Sequence, residues 1–188
     1  TRFIGYSAVI AVTVLISLLS SRPKLMWFYD ATATKSNTIT KPSQEVMDKI
    51  DGKMTMTTYI NILDENSFYL GLPSRFNYDK EYFKQYTRFK PDLKLKYEYY
   101  WADSGNKTVR RRFPNLTDEE RAQVLSDVYE LNFKMFQTLE EVSQKAELGG
   151  EGYGLVREIK HEDGRKTFLR IYDDSKRMLE EKEITAAS

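Results

Sequence analysis

Residues 41–188 of this 188-residue chain predict an α/β domain, a sheet carrying helices on its faces. Three observations predict it. Lys53 to Ile62 and Leu93 to Trp101 each alternate apolar and polar residues, the period of a strand. Tyr82, Phe83, Tyr86 and Phe89, and later Leu125, Val128, Leu131, Met135, Leu139 and Val142, recur at helical spacing. Two extended stretches, Tyr153 to Lys160 and Lys166 to Tyr172, flank the tight-turn residues Glu162-Asp163-Gly164 and read as a β-hairpin.

Ahead of this domain, Phe3 to Leu19 is an uncharged, apolar run. As a helix it would reach roughly 25 Å, at the short end for a bilayer. It predicts a transmembrane helix with its flank over residues 1–26, followed by the interfacial aromatics Trp27, Phe28 and Tyr29. A cleaved signal peptide would end at a small-residue site, and no A-x-A stands before a plausible mature start. Arg2 lies on one side of the run and Arg22 with Lys24 on the other, so charge does not orient it. Residues 27–40 read as a linker. Thr40 is an N-cap for a short helix with Pro42 in its first turn, ending at Asp51-Gly52. After the first strand, Asp64 to Asn77 reads as a loop with Gly71 and Pro73, and Asn77 as the cap of a helix that Pro91 stops near Phe89. Strand, helix, strand of this length predicts a right-handed parallel unit.

Asp103 to Asn115 reads as a turn-rich basic connection. Thr117 and Glu120 form a capping box, and Thr138 with Glu141 repeats it, so the long helical region divides at least as readily into two helices with a joint near Phe136. Gly149, Gly150, Gly152 and Gly154 end that region. Asp173-Asp174-Ser175 is a turn, and the last residues are helix-prone. The resulting order, β-α-β-α-β-β-α, predicts a thioredoxin-like layer.

Composition limits the chemistry. With 40% hydrophobic and 30% charged residues and a net charge of +1, the chain is neither a disordered polyelectrolyte nor a basic nucleic-acid coat. It has no cysteine and one histidine, His161, which reads as an exposed hairpin residue. Disulfides, thiol catalysis and zinc ribbons are thereby excluded, including the chemistry that a thioredoxin-like layer ordinarily performs. The glycine cluster follows a helix and opens a strand, the reverse of a phosphate loop. The carboxylate pairs Asp64/Glu65, Asp118/Glu119, Glu162/Asp163 and Asp173/Asp174 sit at turns and helix starts, where acids serve caps and dipoles. No catalytic residue, cofactor or metal is expected.

The balanced charge hides two halves. Arg75 to Arg112 carries eleven Lys/Arg against five Asp/Glu, and Asp118 to Glu147 carries eight acids against three bases. These surfaces point to partners rather than to nucleic acid. Tyr59, Tyr69 and Tyr100, as exposed aromatics, and Arg110, Arg111 and Arg112, as a basic patch, are the candidate partner surface.

Several segments together carry a family likeness. WFYDATATKSNTIT follows the apolar run; KPSQEVMDKIDG and MTMTTYINILD come next, then YFKQYTRFKPDLKLKYEYYW, and GYGLVREIKHEDGRKTFLRIYDD precedes EITAA. In these segments the chain from about Trp27 to Ser188 resembles the extracytoplasmic GldG-type domain of Bacteroidetes gliding-motility-associated ABC transporters, an auxiliary or permease-linked component. The resemblance implies a non-enzymatic domain on the periplasmic side of the inner membrane, docking partner subunits or exported substrate. Its implied partners are the transporter permease and, indirectly, a cytoplasmic ATPase. The family pattern runs on past the EITAA helix, so the chain is expected to be a piece of a longer protein. The alternative is a periplasmic or surface ligand-binding module with a cleaved or lipid-modified start.

Overall fold

The alternating runs form the centre of a five-stranded mixed sheet. In the computed structural model, which describes residues 2–21, 31 and 38–170, β1 (Met54–Asn61) and β2 (Lys94–Tyr100) pair in parallel, with Thr55 opposite Lys94 and Ile60 opposite Tyr99. A two-residue strand, β3 (Phe136–Gln137), extends the sheet beyond β2, also in parallel. The hairpin β4 (Val156–His161) and β5 (Lys166–Arg170) adds on the far side, β4 antiparallel to β1. The strand order is β3-β2-β1-β4-β5. Placing β1 in the middle buries both its faces: Met56 and Ile60 on one, Tyr59 and Asn61 on the other.

Helix α1 (Arg2–Ser20) covers the apolar run, and Val9, Ile10, Leu15 and Leu18 each stay more than half exposed. Among the described residues no helix is long and apolar enough to cross a membrane. The membrane span expected over residues 1–26 is therefore not supported by the described helix. Trp27, Phe28, Tyr29, most of the 27–40 linker, Asp173/Asp174 and the helix-prone end lie outside the described residues.

The α2 helix (Lys41–Lys49) is capped as expected, the Thr40 hydroxyl accepting from the Ser43 N–H at 3.5 Å. What reads as a loop after β1 is a short helix, α3 (Glu65–Phe68), followed by two 3-10 turns. They bring Gly71 against β1, where an added Cβ would lie 2.6 Å from Ile60 Cγ1. Helix α4 (Phe76–Thr87) starts one residue before Asn77, which does not cap it; the preceding turn feeds the chain directly into the helix. Its Phe83 and Tyr86 join Met47 of α2 and Met56, Leu93 and Leu169 in one core on this sheet face.

The basic connection is also partly helical. Asn106 caps α5 (Lys107–Arg112) by accepting from the Thr108 N–H at 2.9 Å, and Val109 anchors it in the core. Both capping boxes form, opening α6 (Asp118–Val128) and α7 (Leu139–Ser143). The region between them is no simple joint. Glu130 takes a positive φ of 56°, a 3-10 turn follows, and the chain runs as β3 before α7. The apolar stripe therefore splits: Leu125 packs with Ile60 and Tyr99, Val142 packs with Tyr59 and Tyr100 on the opposite face, and Val128 is 55% exposed.

Candidate functional site

In an open sheet with parallel strands, ligands gather at the carboxyl ends of those strands. Here β1 ends in Asn61 and runs through Ile62 and Leu63 into Asp64 at the start of α3. Asn61 is buried and uses its whole amide. Its Nδ2 donates to the carbonyls of Ala102 and Tyr153, each at 2.8 Å, and its Oδ1 accepts from the N–H groups of Leu63 at 3.0 Å and Ala102 at 3.1 Å. Two donors and an acceptor with two lone pairs are all that an amide offers, so nothing is left for a ligand.

Asp64 is 8% exposed and accepts from the Ser67 hydroxyl, which in turn accepts from the Leu155 N–H at 3.1 Å. Ser67 is thus bonded on both sides and has no imidazole to activate it as a nucleophile. Tyr100, fully buried on β2, has a hydroxyl without a hydrogen-bond partner. Burial first, then the Asp64 carboxylate and Tyr153, push this phenol up from its ordinary range. Tyr153 itself has a φ of 52° beside Gly152 at 67°, the left-handed turn that leads into β4. Beside this end of the sheet a cavity of about 10 Å³ lies among Leu63, Asp103, Asn106, Arg110, Asp118 and Arg121. That is space for about one water. The arrangement locks loops together, and this cavity is too small to enclose a substrate.

The candidate partner residues divide. Tyr69 is 47% exposed, with the Arg75 guanidinium 5.6 Å from its ring centre. Arg110, Arg111 and Arg112 are exposed at the end of α5. Arg110 pairs with Asp103, and Arg112 reaches Glu65 of α3 at 3.5 Å, which places that basic turn beside the element preceding Tyr69. Tyr59 and Tyr100 correct the expectation, because both lie inside the sheet's second face under Val142 and Ala146. Alternation predicts a wet side for these strands, but α7 covers the end of it that holds Tyr59 and Tyr100. Burial, then Glu158 and Glu98, push the Tyr59 phenol up to about 12.

A second concavity, of about 540 Å³, lies between the end of α2 and the hairpin. Ile50, Met54 and Ile159 give it apolar lining, and Lys49, Asp51, His161, Arg165 and Lys166 give it polar groups. His161 is not the exposed residue expected of it, with a side chain 17% exposed. Its Nε2 donates to the Asp51 carbonyl at 2.5 Å, and its Nδ1 lies 2.9 Å from the Asp163 carboxylate. The Glu162 N–H also donates to the Lys53 carbonyl at 2.9 Å, so two turns far apart in sequence are clasped. The Asp51 carbonyl, then Asp163, raise the imidazole above its ordinary 6.5. The Arg165 N–H, then His161, lower the Asp163 carboxyl from 3.8 to about 2.

The signs fix a pH window. A raised imidazole stabilises the fold fully below its unfolded value of 6.5 and loses that contribution as pH rises through the folded value. The depressed Asp163 contributes above 3.8 and is lost as pH falls towards about 2. Thermal denaturation is expected to show a midpoint that declines as the pH is raised past neutrality, with the decline flattened in His161→Gln. An equal decline in both proteins would remove His161 as its source.

Among the described residues no group of three or more His, Cys, Asp or Glu is placed to hold a metal ion. The chain matches no family model, no curated protein and no solved structure.

Proposed function

We propose that this chain is a non-enzymatic extracytoplasmic domain of an ABC-type transport system, held at the membrane through α1 and docking partner subunits or exported substrate. The observation that carries the reading is the state of the sheet end. Where a layer of this kind would keep reactive groups, Asn61 spends all its hydrogen bonds on backbone and Ser67 is held between Asp64 and Leu155. The strand order, with a central β1 flanked by parallel β2 and antiparallel β4, supports a thioredoxin-like layer extended by the short β3. The resemblance to GldG-type domains supplies the transport context and the periplasmic side. The exposed apolar side chains of α1 support membrane contact, and Tyr69 with Arg110, Arg111 and Arg112 is the surface offered to a partner subunit.

Affinity purification from detergent-solubilised native membranes tests this. The chain is expected in the membrane fraction and to bring down a permease and an ATPase subunit, with recovery of both reduced by Arg110→Glu/Arg112→Glu. Recovery in the aqueous fraction without transporter subunits would overturn it. A ligand-binding module is the second reading, favoured by the 540 Å³ concavity with its cations Lys49, Arg165 and Lys166. Saturable binding of a small anion, abolished by Lys49→Gln/Arg165→Gln, would favour that reading instead.

A further inference from the structure

Among the described residues, the second sheet face is covered at one end only, by α7 and the chain that follows it. There Tyr59, Tyr100 and Val156 pack beneath Val142, Ala146 and Leu148. Towards the start of β1 and β2, the register aligns Lys94, Thr55, Lys160 and Lys166 in one row across four strands. The adjacent row is Lys96, Thr57, Glu158 and Phe168. Residues paired across strands share a face, and so do residues two apart in a strand. Lys94, Lys96, Lys160 and Lys166 therefore stand on one side of the sheet, and all four are exposed.

This arrangement opposes the sheet's own stability. Lys160 is directly opposite Lys166, and like charges so placed are destabilising. The carboxylates on this face offset the patch only in part. Glu158 is buried and forms an ion pair with Lys166 at 3.5 Å, so one carboxylate stands against the four lysines, while Glu98 is engaged by Lys145 at 2.8 Å and by Gln137 at 2.6 Å. Burial alone would raise the Glu98 carboxyl, but the bonds from Lys145 and Gln137 outweigh it and hold it below its ordinary range, so it stays charged and paired. Thr55 and Thr57 stand between the lysines of β2 and those of the hairpin. With strands about 4.8 Å apart, the row from Lys94 to Lys166 spans about 14 Å. It is a positive array whose width suits charge recognition more than a close-packed contact.

The same chain carries in α1 a helix whose apolar side chains are exposed. One surface satisfies both features: a phospholipid layer, whose interior takes apolar side chains and whose anionic headgroups attract lysines. We propose that Lys94, Lys96, Lys160 and Lys166 form a docking face for anionic phospholipid headgroups, which lays the sheet against the membrane that α1 engages. The inference rests on the membrane-held reading above.

Because the chain has no cysteine, Thr55→Cys gives a unique position for an environment-sensitive fluorophore in the middle of the lysine row. The labelled protein is mixed with phosphatidylcholine vesicles, with vesicles containing about 30% phosphatidylglycerol, and with polyglutamate, the salt being raised to about 0.5 M in a parallel series to screen exposed charges. A blue shift is expected with the anionic vesicles alone, reversed by salt. Adding Lys94→Gln, Lys96→Gln, Lys160→Gln and Lys166→Gln is expected to weaken that response on the order of tenfold or more. Circular dichroism checks that this variant is folded, and the salt series on the parent protein stands as the test if it is not. A response to polyglutamate without one to the anionic vesicles would overturn the proposal in favour of an acidic protein partner. Vesicle binding with a silent label would overturn the docking face and leave the membrane reading standing. Absence of binding to either vesicle would overturn both.

Discussion

Replacing Asn61 by alanine is expected to destabilise the domain by about 3 kcal/mol or more, read as a fall in the urea midpoint with unchanged slope. The reason lies in what is left behind. The change removes bonds to the carbonyls of Ala102 and Tyr153 and to the N–H groups of Leu63 and Ala102, in a place where Asn61 is 1% exposed. Backbone groups abandoned in an interior keep their desolvation penalty, about 1–3 kcal/mol each when no water reaches them. Aspartate is the informative comparison. It retains both acceptor bonds, yet at neutral pH it would set a carboxylate against two carbonyl oxygens, so Asn61→Asp is expected to be no more stable than Asn61→Ala. A loss below about 1 kcal/mol in the alanine variant would mean that the loops after β1 and β2 and before β4 are held by other contacts.

Removing Asp79 is expected to have an effect of similar size through a different cause. Asp79 accepts from Arg157 at 2.6 Å and from the Tyr97 hydroxyl at 2.8 Å, and the two charged side chains are 14% and 12% exposed. The Arg157 guanidinium lies 5.2 Å from the centre of the Phe83 ring, and Phe76 stacks on Tyr97 with ring centres 4.0 Å apart. Phe76, Asp79 and Phe83 are spaced by three and four residues, so one side of α4 presents aromatic, acid and aromatic to β2 and β4. Asp79→Ala removes one partner of a largely buried ion pair, which costs about 3–5 kcal/mol. The double variant Asp79→Ala/Arg157→Met is expected to recover part of that loss, because the desolvated guanidinium goes as well. Equal destabilisation in the single and double variants would show that the aromatic contacts, and not the ion pair, hold α4 to the sheet.

Asp79 and Asn61 also show what could be read in advance. Alternation in Met54–Asn61 and Lys94–Tyr100 announced the two central strands, since a pleated backbone sends successive side chains to opposite faces. Both capping boxes were legible for a similar reason: Thr117 with Glu120 and Thr138 with Glu141 satisfy their helix starts from within four residues. The partner of Asp79 was not legible. Arg157 is 78 residues away, and nothing local distinguishes either from an ordinary surface charge. Asn61 reads simply as the polar position of a strand, until loops from Ala102 and Tyr153 close over it.

The sequence by itself determined the strands β1 and β2, the hairpin, the capped helix starts and the poverty of reactive side chains, because each depends on local periodicity, local hydrogen bonds or residue identity. Tertiary structure alone decided that Tyr59 and Tyr100 are core rather than surface, since α7 returns over the face that alternation left polar. It also decided that Phe136 and Gln137 form a strand, which β2 stabilises by pairing with too few residues to show a period. The lysine row belongs to the same class: Lys94, Lys96, Lys160 and Lys166 are scattered along the chain, and only the parallel and antiparallel registers on either side of β1 bring them onto one face.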